Sequence, residues 1–176
     1  LKDGILQKKE VIRGRIGQPS TPIEIAPDSA LSIGVKIGRR SLDLLAMSFD
    51  RSVVARKTFA YAALEAHTVT NLMERAFREL KGELSERQIA RLVGVGVAAP
   101  TAIEAGEAVI GDPDGRSPRL REAELIARVE ESSGLRAVVL NDATAACIAE
   151  IDHRRDPQGR SMVYFYISTL VGGGLV

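Results

Sequence analysis

Three consecutive strand-like runs, followed by helices and strands in alternation, restrict this chain to a sheet covered by helices. In "LSIGVKI" (31–37), Leu31, Ile33, Val35 and Ile37 fall on one face of an extended segment. "SLDLLAMSF" (41–49) and "SVVARKTFA" (52–60) follow after turn signals at Gly38-Arg39-Arg40 and Asp50-Arg51, which predicts an antiparallel meander. A helix is then expected over 65–81, with Leu72, Ala76, Phe77 and Leu80 on its buried face and Gly82 at its end. Ser85 and Gln88 have the spacing of a capping box, so a second, short helix opens there. "LVGVGVAAP" (92–100) reads as a strand buried on both faces. Residues 101–117 carry Gly106, Gly111, Pro113, Asp114 and Gly115 and read as a loop with a small hairpin. A helix from Pro118 to Ser133 stopped by Gly134, a strand over 137–140 and a helix from Asp142 to Ile151 complete the series. The class is α/β, a mixed sheet in the order βββαβαβα.

The two ends of the chain differ from this middle. Residues 1–20 read as two extended pieces, "GILQKKEV" and "IRGRIGQPS", forming a hairpin or wing, and "TPIEIAPDSA" as a connector with one edge strand. Net charge is +1 overall, but Lys2, Lys8, Lys9, Arg13 and Arg15 against Asp3 and Glu10 put +3 in the first 20 residues, leaving −2 for the rest. A basic arm suits either phosphate contact or a solvated surface. At the other end, after the polar turn "DHRRDPQGR", "SMVYFYIST" is a strand followed by "LVGGGLV". A strand and glycine turn without partners would leave unpaired backbone, so the chain is expected to be a fragment or to have this edge covered. No apolar run approaches the roughly 20 residues of a membrane span. No signal peptide is visible, and the cytoplasm is the expected location. The single cysteine, Cys147, lies among alanines and reads as a buried thiol.

Few residues present chemistry. In "VVLNDATAACIAE" (138–150) a strand runs into Asn141-Asp142 and then a helix. Ligands of open α/β sheets collect at the carboxyl ends of strands, so a polar site would be built there. Asn and Asp are also favoured helix N-caps, and the residues alone leave both readings open. "IGVKIGRRS" and "ISTLVGGGLV" place glycines after strands, as a backbone cradle for phosphate requires, but neither has the spacing of a Walker loop or a dinucleotide fingerprint. His67 and His153 have no suitably spaced partners, so no metal site is expected.

Together "LSIGVKIG", "VGVGVAAP", "LNDATAACIAE" and "STLVGGGLV" resemble the ROK family of repressors, unannotated reading frames and sugar kinases, in the family's order and separations. "NDATAACIAE" is the most specific of these, being close to an Asn-Asp-Ala-x-Ala-Ala signature. The resemblance implies an actin-like ATPase (ribonuclease H-like) lobe. It divides the chain into a wing remnant of a winged helix-turn-helix (1–20), a linker (21–30), the N-terminal lobe (31–160) and the start of a second lobe (161–176). By the same resemblance Asn141 and Asp142 bind the sugar, and Asp142 would be the general base in a kinase. Gly34, Lys36, Gly38, Thr169, Gly172, Gly173 and Gly174 are remnants of the phosphate turns, and Lys8, Lys9, Arg13 and Arg15 would lie along the wing against DNA phosphates.

The departures from the kinase pattern decide the expected function. Kinases of the family have Asp-x-Gly-x-Thr in the first phosphate turn, where the aspartate helps hold magnesium; here the turn is Lys36-Ile37-Gly38-Arg39-Arg40. An ammonium cannot ligate a dication and repels it, and phosphoryl transfer depends on that metal. In the second turn Gly-Thr-Gly becomes Ser168-Thr169-Leu170. The expectation is a fragment of a sugar-responsive, DNA-binding transcriptional regulator, a dimeric repressor without kinase activity or catalytic residues. Its implied partners are DNA, a sugar effector and a second copy of the chain, with no cofactor in these residues and a structural zinc possible beyond Val176. The rival is an ATP-dependent hexose kinase of the glucokinase kind.

Overall fold

The computed structural model describes residues 4–11, 20–62, 64, 66–104, 107–110, 120–154, 161–167 and 171–175. In chain order, β1 (Leu6–Lys8) and β2 (Ile23–Ile25) form a basic hairpin. The strands β3 (Leu31–Ile37), β4 (Ser41–Ser48) and β5 (Val53–Ala60) follow, then helices α1 (Ala66–Lys81) and α2 (Glu86–Ile89) and strand β6 (Leu92–Ala99). The small strands β7 (Thr101–Glu104), β8 (Glu107–Ile110) and β9 (Leu120–Arg121) lead to α3 (Glu122–Ser133), β10 (Ala137–Asn141) and α4 (Asp142–Arg154). A last hairpin pairs β11 (Val163–Ile167) with β12 (Val171–Leu175). No described helix is long and apolar enough to cross a membrane.

The main sheet has the order β10-β6-β3-β4-β5. β3, β4 and β5 pair antiparallel, as the meander pattern predicts, while β6 runs parallel to β3 and β10 parallel to β6. The carboxyl ends of three adjacent strands therefore come to one edge, with Lys36 beside Ala98 and Asn141 beside Ala99.

One face of this sheet makes the core. Ile33, Val35, Ile37, Leu42, Leu44 and Ala46 alternate inward and are buried against α1, where Val69, Met73, Ala76, Phe77 and Leu80 are buried, and against Leu125 and Val129 of α3. Lys81 Nζ donates to the Ser133 carbonyl at 2.5 Å, joining the C-terminal ends of α1 and α3. Gly134 ends α3 in the left-handed region at φ 70°, and its N–H bonds to the Glu130 carbonyl at 2.8 Å.

Several expectations change in detail. The buried face of α1 gains Val69 and Met73, while Leu72 is only partly buried, because the stripe is set by where α3 and the sheet meet it. β6 is buried on one face only: Val95, Val97 and Ala99 point into the core, whereas Gly96 on the other face is exposed; Val93, 66% exposed, falls at the irregularity where the β3–β6 register skips a residue. α3 begins at Glu122 rather than Pro118, because Leu120 and Arg121 pair with β8 and their backbone is committed to a ladder. Pro118 lies outside the described residues, as do Gly111, Pro113, Asp114 and Gly115. The small hairpin expected within 101–117 is β7–β8. The capping box at α2 forms, with the Gln88 N–H on Ser85 Oγ and the Ser85 N–H on Gln88 Oε1 at 2.9 Å. β1 pairs with Ile23–Ile25, the edge strand expected in the connector, while residues 12–19 of the expected wing lie outside the described residues.

The turn between β3 and β4 is held by a tyrosine. The Gly38 N–H bonds to the Ser41 carbonyl at 2.8 Å, and the Tyr61 hydroxyl donates between the Gly38 and Ser41 carbonyls, at 2.5 and 2.9 Å. The Tyr61 N–H adds a bond to the Arg40 carbonyl. Burial, with Asp43 adding to it, pushes the Tyr61 phenol up to about 12. A second close approach occurs where β12 packs on α4. A Cβ at Gly172 would lie 2.9 Å from Cβ of Ala143, and one at Gly174 would lie 2.8 Å from Sγ of the buried Cys147.

Two outcomes are expected from this packing. The Tyr61 shift adds stability that is fully present below about pH 10, the unfolded value, and is lost as pH rises through about 12. An ultraviolet titration therefore shows one tyrosine ionising near 12, and Tyr61→Phe removes that step while costing about 1 kcal/mol in denaturant unfolding. Gly174→Ala lowers stability by about 1–3 kcal/mol through overpacking, and Cys147→Ala in the same chain recovers part of the loss in the same unfolding measurement.

Candidate functional site

The edge where β3, β6 and β10 end gathers most of the residues singled out in the lobe. β10 delivers Asn141 and Asp142 at the start of α4, because the polar pair closes a β-branched strand and opens an alanine-rich helix. Asn141 Oδ1 accepts the N–H groups of Ala143 at 3.0 Å and Thr144 at 3.3 Å, and Asp142 Oδ1 accepts that of Ala143 at 2.9 Å. The capping reading of Asn141 therefore holds in the structure. It leaves the second carboxylate oxygen of Asp142 without a hydrogen bond among the described residues. Both residues are half-buried, so a ligand can reach them.

Lys36 stands two strands away on the sheet face opposite the core, exposed and without an ion pair among the described residues. Directly across from it on β4 is Asp43, whose carboxylate takes the hydroxyls of Ser41 at 2.8 Å and Thr58 at 2.7 Å. Beyond β4, Arg56 projects from β5 on the same face. These charged groups line an open cavity of about 510 Å³ with Gly34, Gly96, Leu45, Met47 and Leu140. Ala145 of α4 closes one side.

Gly34 lies under this cavity with a Cβ position 3.5 Å from the Leu45 side chain, and Gly38 starts the tyrosine-held turn. Gly172 and Gly174 face α4, where they allow the helix to approach the hairpin, and a Cβ at Gly173 would meet the Tyr164 carbonyl at 2.7 Å. Thr169 lies outside the described residues, as do Arg13 and Arg15. On the basic hairpin Lys9 is paired with Glu24 at 2.5 Å, while Lys8 is exposed and has no ion pair among the described residues.

Sequence reasoning missed Asp43, Arg56 and Tyr61. A signal was present for Asp43, since it interrupts the outward-facing apolar positions Leu45 and Met47 of β4. For Tyr61 there was none, because its partners are backbone carbonyls 20 and 23 residues away. Among the described residues, no three His, Cys, Asp or Glu side chains converge as a metal site. The side chains of the β3 turn do not suit the magnesium of a family kinase either, because Lys36, Arg39 and Arg40 are cations that repel a dication and cannot ligate it.

No curated protein matches this chain in sequence. Among solved structures, a ROK family transcriptional regulator, a homologue of the E. coli MLC protein, superposes with a TM-score of 0.70 at 16% identity, covering 99% of this chain and 44% of its own. A ROK family glucokinase from Streptomyces griseus, solved with glucose and AMPPNP, gives 0.64 at 21% identity over 84% of this chain and 44% of its own. A ROK hexokinase from Thermus thermophilus gives 0.57 at 21% identity over 83% and 46%. The chain thus spans less than half the length of these relatives, and at such identities the likeness establishes the shared fold, the actin-like ATPase lobe. The model of the ROK family matches residues 32–176, from the second residue of β3 through the last hairpin, and the chain belongs to the ROK family.

Proposed function

We infer that this chain is part of a sugar-responsive, DNA-binding transcriptional regulator, most plainly a repressor, in which the kinase chemistry of related lobes has been lost. The observation that carries this reading is the basic hairpin ahead of the lobe. The likeness to the regulator takes in 99% of the chain and that to the glucokinase 84%, a difference of 15 points or about 26 residues, close to the length of the arm before Leu31. The cations of the β3 turn support it from the other side, because they disfavour the dication that phosphoryl transfer needs.

In this reading Lys8, Arg13 and Arg15 meet DNA phosphates through the hairpin, with Lys9 held by Glu24 at its base. Asn141 positions Asp142, whose free oxygen accepts from the hydroxyls of a bound sugar. Sugar binding favours one closure of the two lobes and hence one spacing of the DNA-binding heads in a dimer, which is a coupling free energy between two sites.

Two experiments on the full-length protein test this. Incubation with ATP, magnesium and a panel of hexoses yields no phosphorylated sugar, while calorimetry with the effector gives a binding heat that Asp142→Ala abolishes; turnover of ATP would overturn the reading. In fluorescence anisotropy with operator DNA, Arg13→Ala with Arg15→Ala weakens binding alike across sequences and lowers the salt slope by about 0.9 for each phosphate no longer neutralised.

A further inference from the structure

We propose that residues 26–31 form a rigid joint, seated on Arg91, that fixes the basic hairpin to the lobe, so that a movement of the lobe reaches DNA through the hairpin instead of being lost in a tether. The proposal rests on the regulator reading and adds how its two functions are connected. Residues 21–30 are expected to be a linker, yet the crossing from β2 to β3 is anchored along its length. None of residues 26–30 is exposed, and Ala26 and Ser29 are buried.

The stiffness begins with a proline. Pro27 opens a single 3-10 turn, Pro27–Ser29, and its ring fixes its own φ. The residue before a proline is confined to extended backbone, and Ala26 is found there at φ −65° and ψ 131°. Backbone hydrogen bonds then tie the crossing in three directions. The Ala26 N–H donates to the carbonyl of Ile5, just before β1, at 2.8 Å; the Phe49 N–H of the β4–β5 turn donates to the Pro27 carbonyl at 3.0 Å; and the Leu31 N–H donates to the Arg91 carbonyl at 2.8 Å. The Ser29 N–H closes the turn on the Ala26 carbonyl at 2.9 Å. An ion pair of Asp28 with Arg87 adds little, because both side chains are exposed to screening.

Arg91 meets both ends of the crossing. Its carbonyl receives the start of β3, and its guanidinium lies against Gly4, where the chain enters β1. Gly4 is left-handed at φ 69°, and a Cβ there would lie 2.9 Å from Arg91 Nη2. The hairpin and the first sheet strand are thus seated on the same residue of the connection between α2 and β6. From this joint β3 runs to the edge that carries the candidate site, a length of about 20 Å over its seven residues. A rotation of the sheet therefore carries the basic hairpin with it.

Two measurements on the full-length protein test this. In hydrogen exchange read by mass spectrometry, the amides of Ala26, Ser29 and Leu31 exchange at least about a hundredfold more slowly than in an unstructured peptide, and exchange at the unstructured rate overturns the joint. Fluorescence anisotropy then follows binding to DNA duplexes that the protein has selected from a random pool, with and without each member of a hexose panel. One variant inserts Gly-Ser-Gly-Ser between Ala26 and Pro27, and a milder one combines Pro27→Gly with Asp28→Gly. Both keep DNA affinity within about threefold and keep the calorimetric sugar affinity, while the factor by which sugar changes DNA binding falls toward one, less completely in the milder variant. A sugar effect of equal size in wild type and both variants overturns the proposal and leaves the sensor reading standing. If no hexose alters DNA binding by the wild-type protein, the sensor reading fails, whereas slow exchange at Ala26, Ser29 and Leu31 still establishes the joint.

Discussion

The parallel pairing of β3, β6 and β10 is the constraint on which the candidate site depends. Strands that run the same way end at the same edge, and here that edge receives a lysine, a glycine turn and an Asn-Asp pair from segments more than a hundred residues apart in sequence. The parallel arrangement in turn requires crossovers, and α1 and α3 supply them while burying one face of the sheet. Packing and site geometry are thus two results of one topology: the inward residues Ile33, Val35 and Val97 hold the strands in the register that sets Lys36 opposite Asp43 and Asn141 beside Ala99.

Most of the lobe was legible from local patterns. Alternation in 31–37 and 41–48, the capping box at Ser85 and Gln88, and the stop at Gly134 each express a short-range rule, and each appears in the structure. What was not legible depends on distant neighbours. The start of α3 moved because β8 claims Leu120 and Arg121, and β6 is covered on one face rather than two because burial is decided by whichever helix packs there. The pairing of β1 with Ile23–Ile25 was likewise a matter of long-range contact.

In the site the division is similar. Asn141 and Asp142 could be placed at a strand end from sequence, and the geometry shows both accepting first-turn amides of α4, with one Asp142 oxygen left without a hydrogen bond among the described residues. The cationic turn was visible as letters, but the place of Asp43 directly across from Lys36, with the Ser41 and Thr58 hydroxyls donating to it, was not, since that depends on strand register. Tyr61 shows the limit most clearly: nothing in its sequence surroundings indicates that it clamps a turn some 20 residues earlier.

The bare surface of β12 against α4 has a mechanical meaning. Glycine Cα atoms pressed on Ala143 and Cys147 include almost no rotatable bonds that could absorb a displacement. A hairpin seated this way leaves little slack between its backbone and the helix whose first turn carries Asp142.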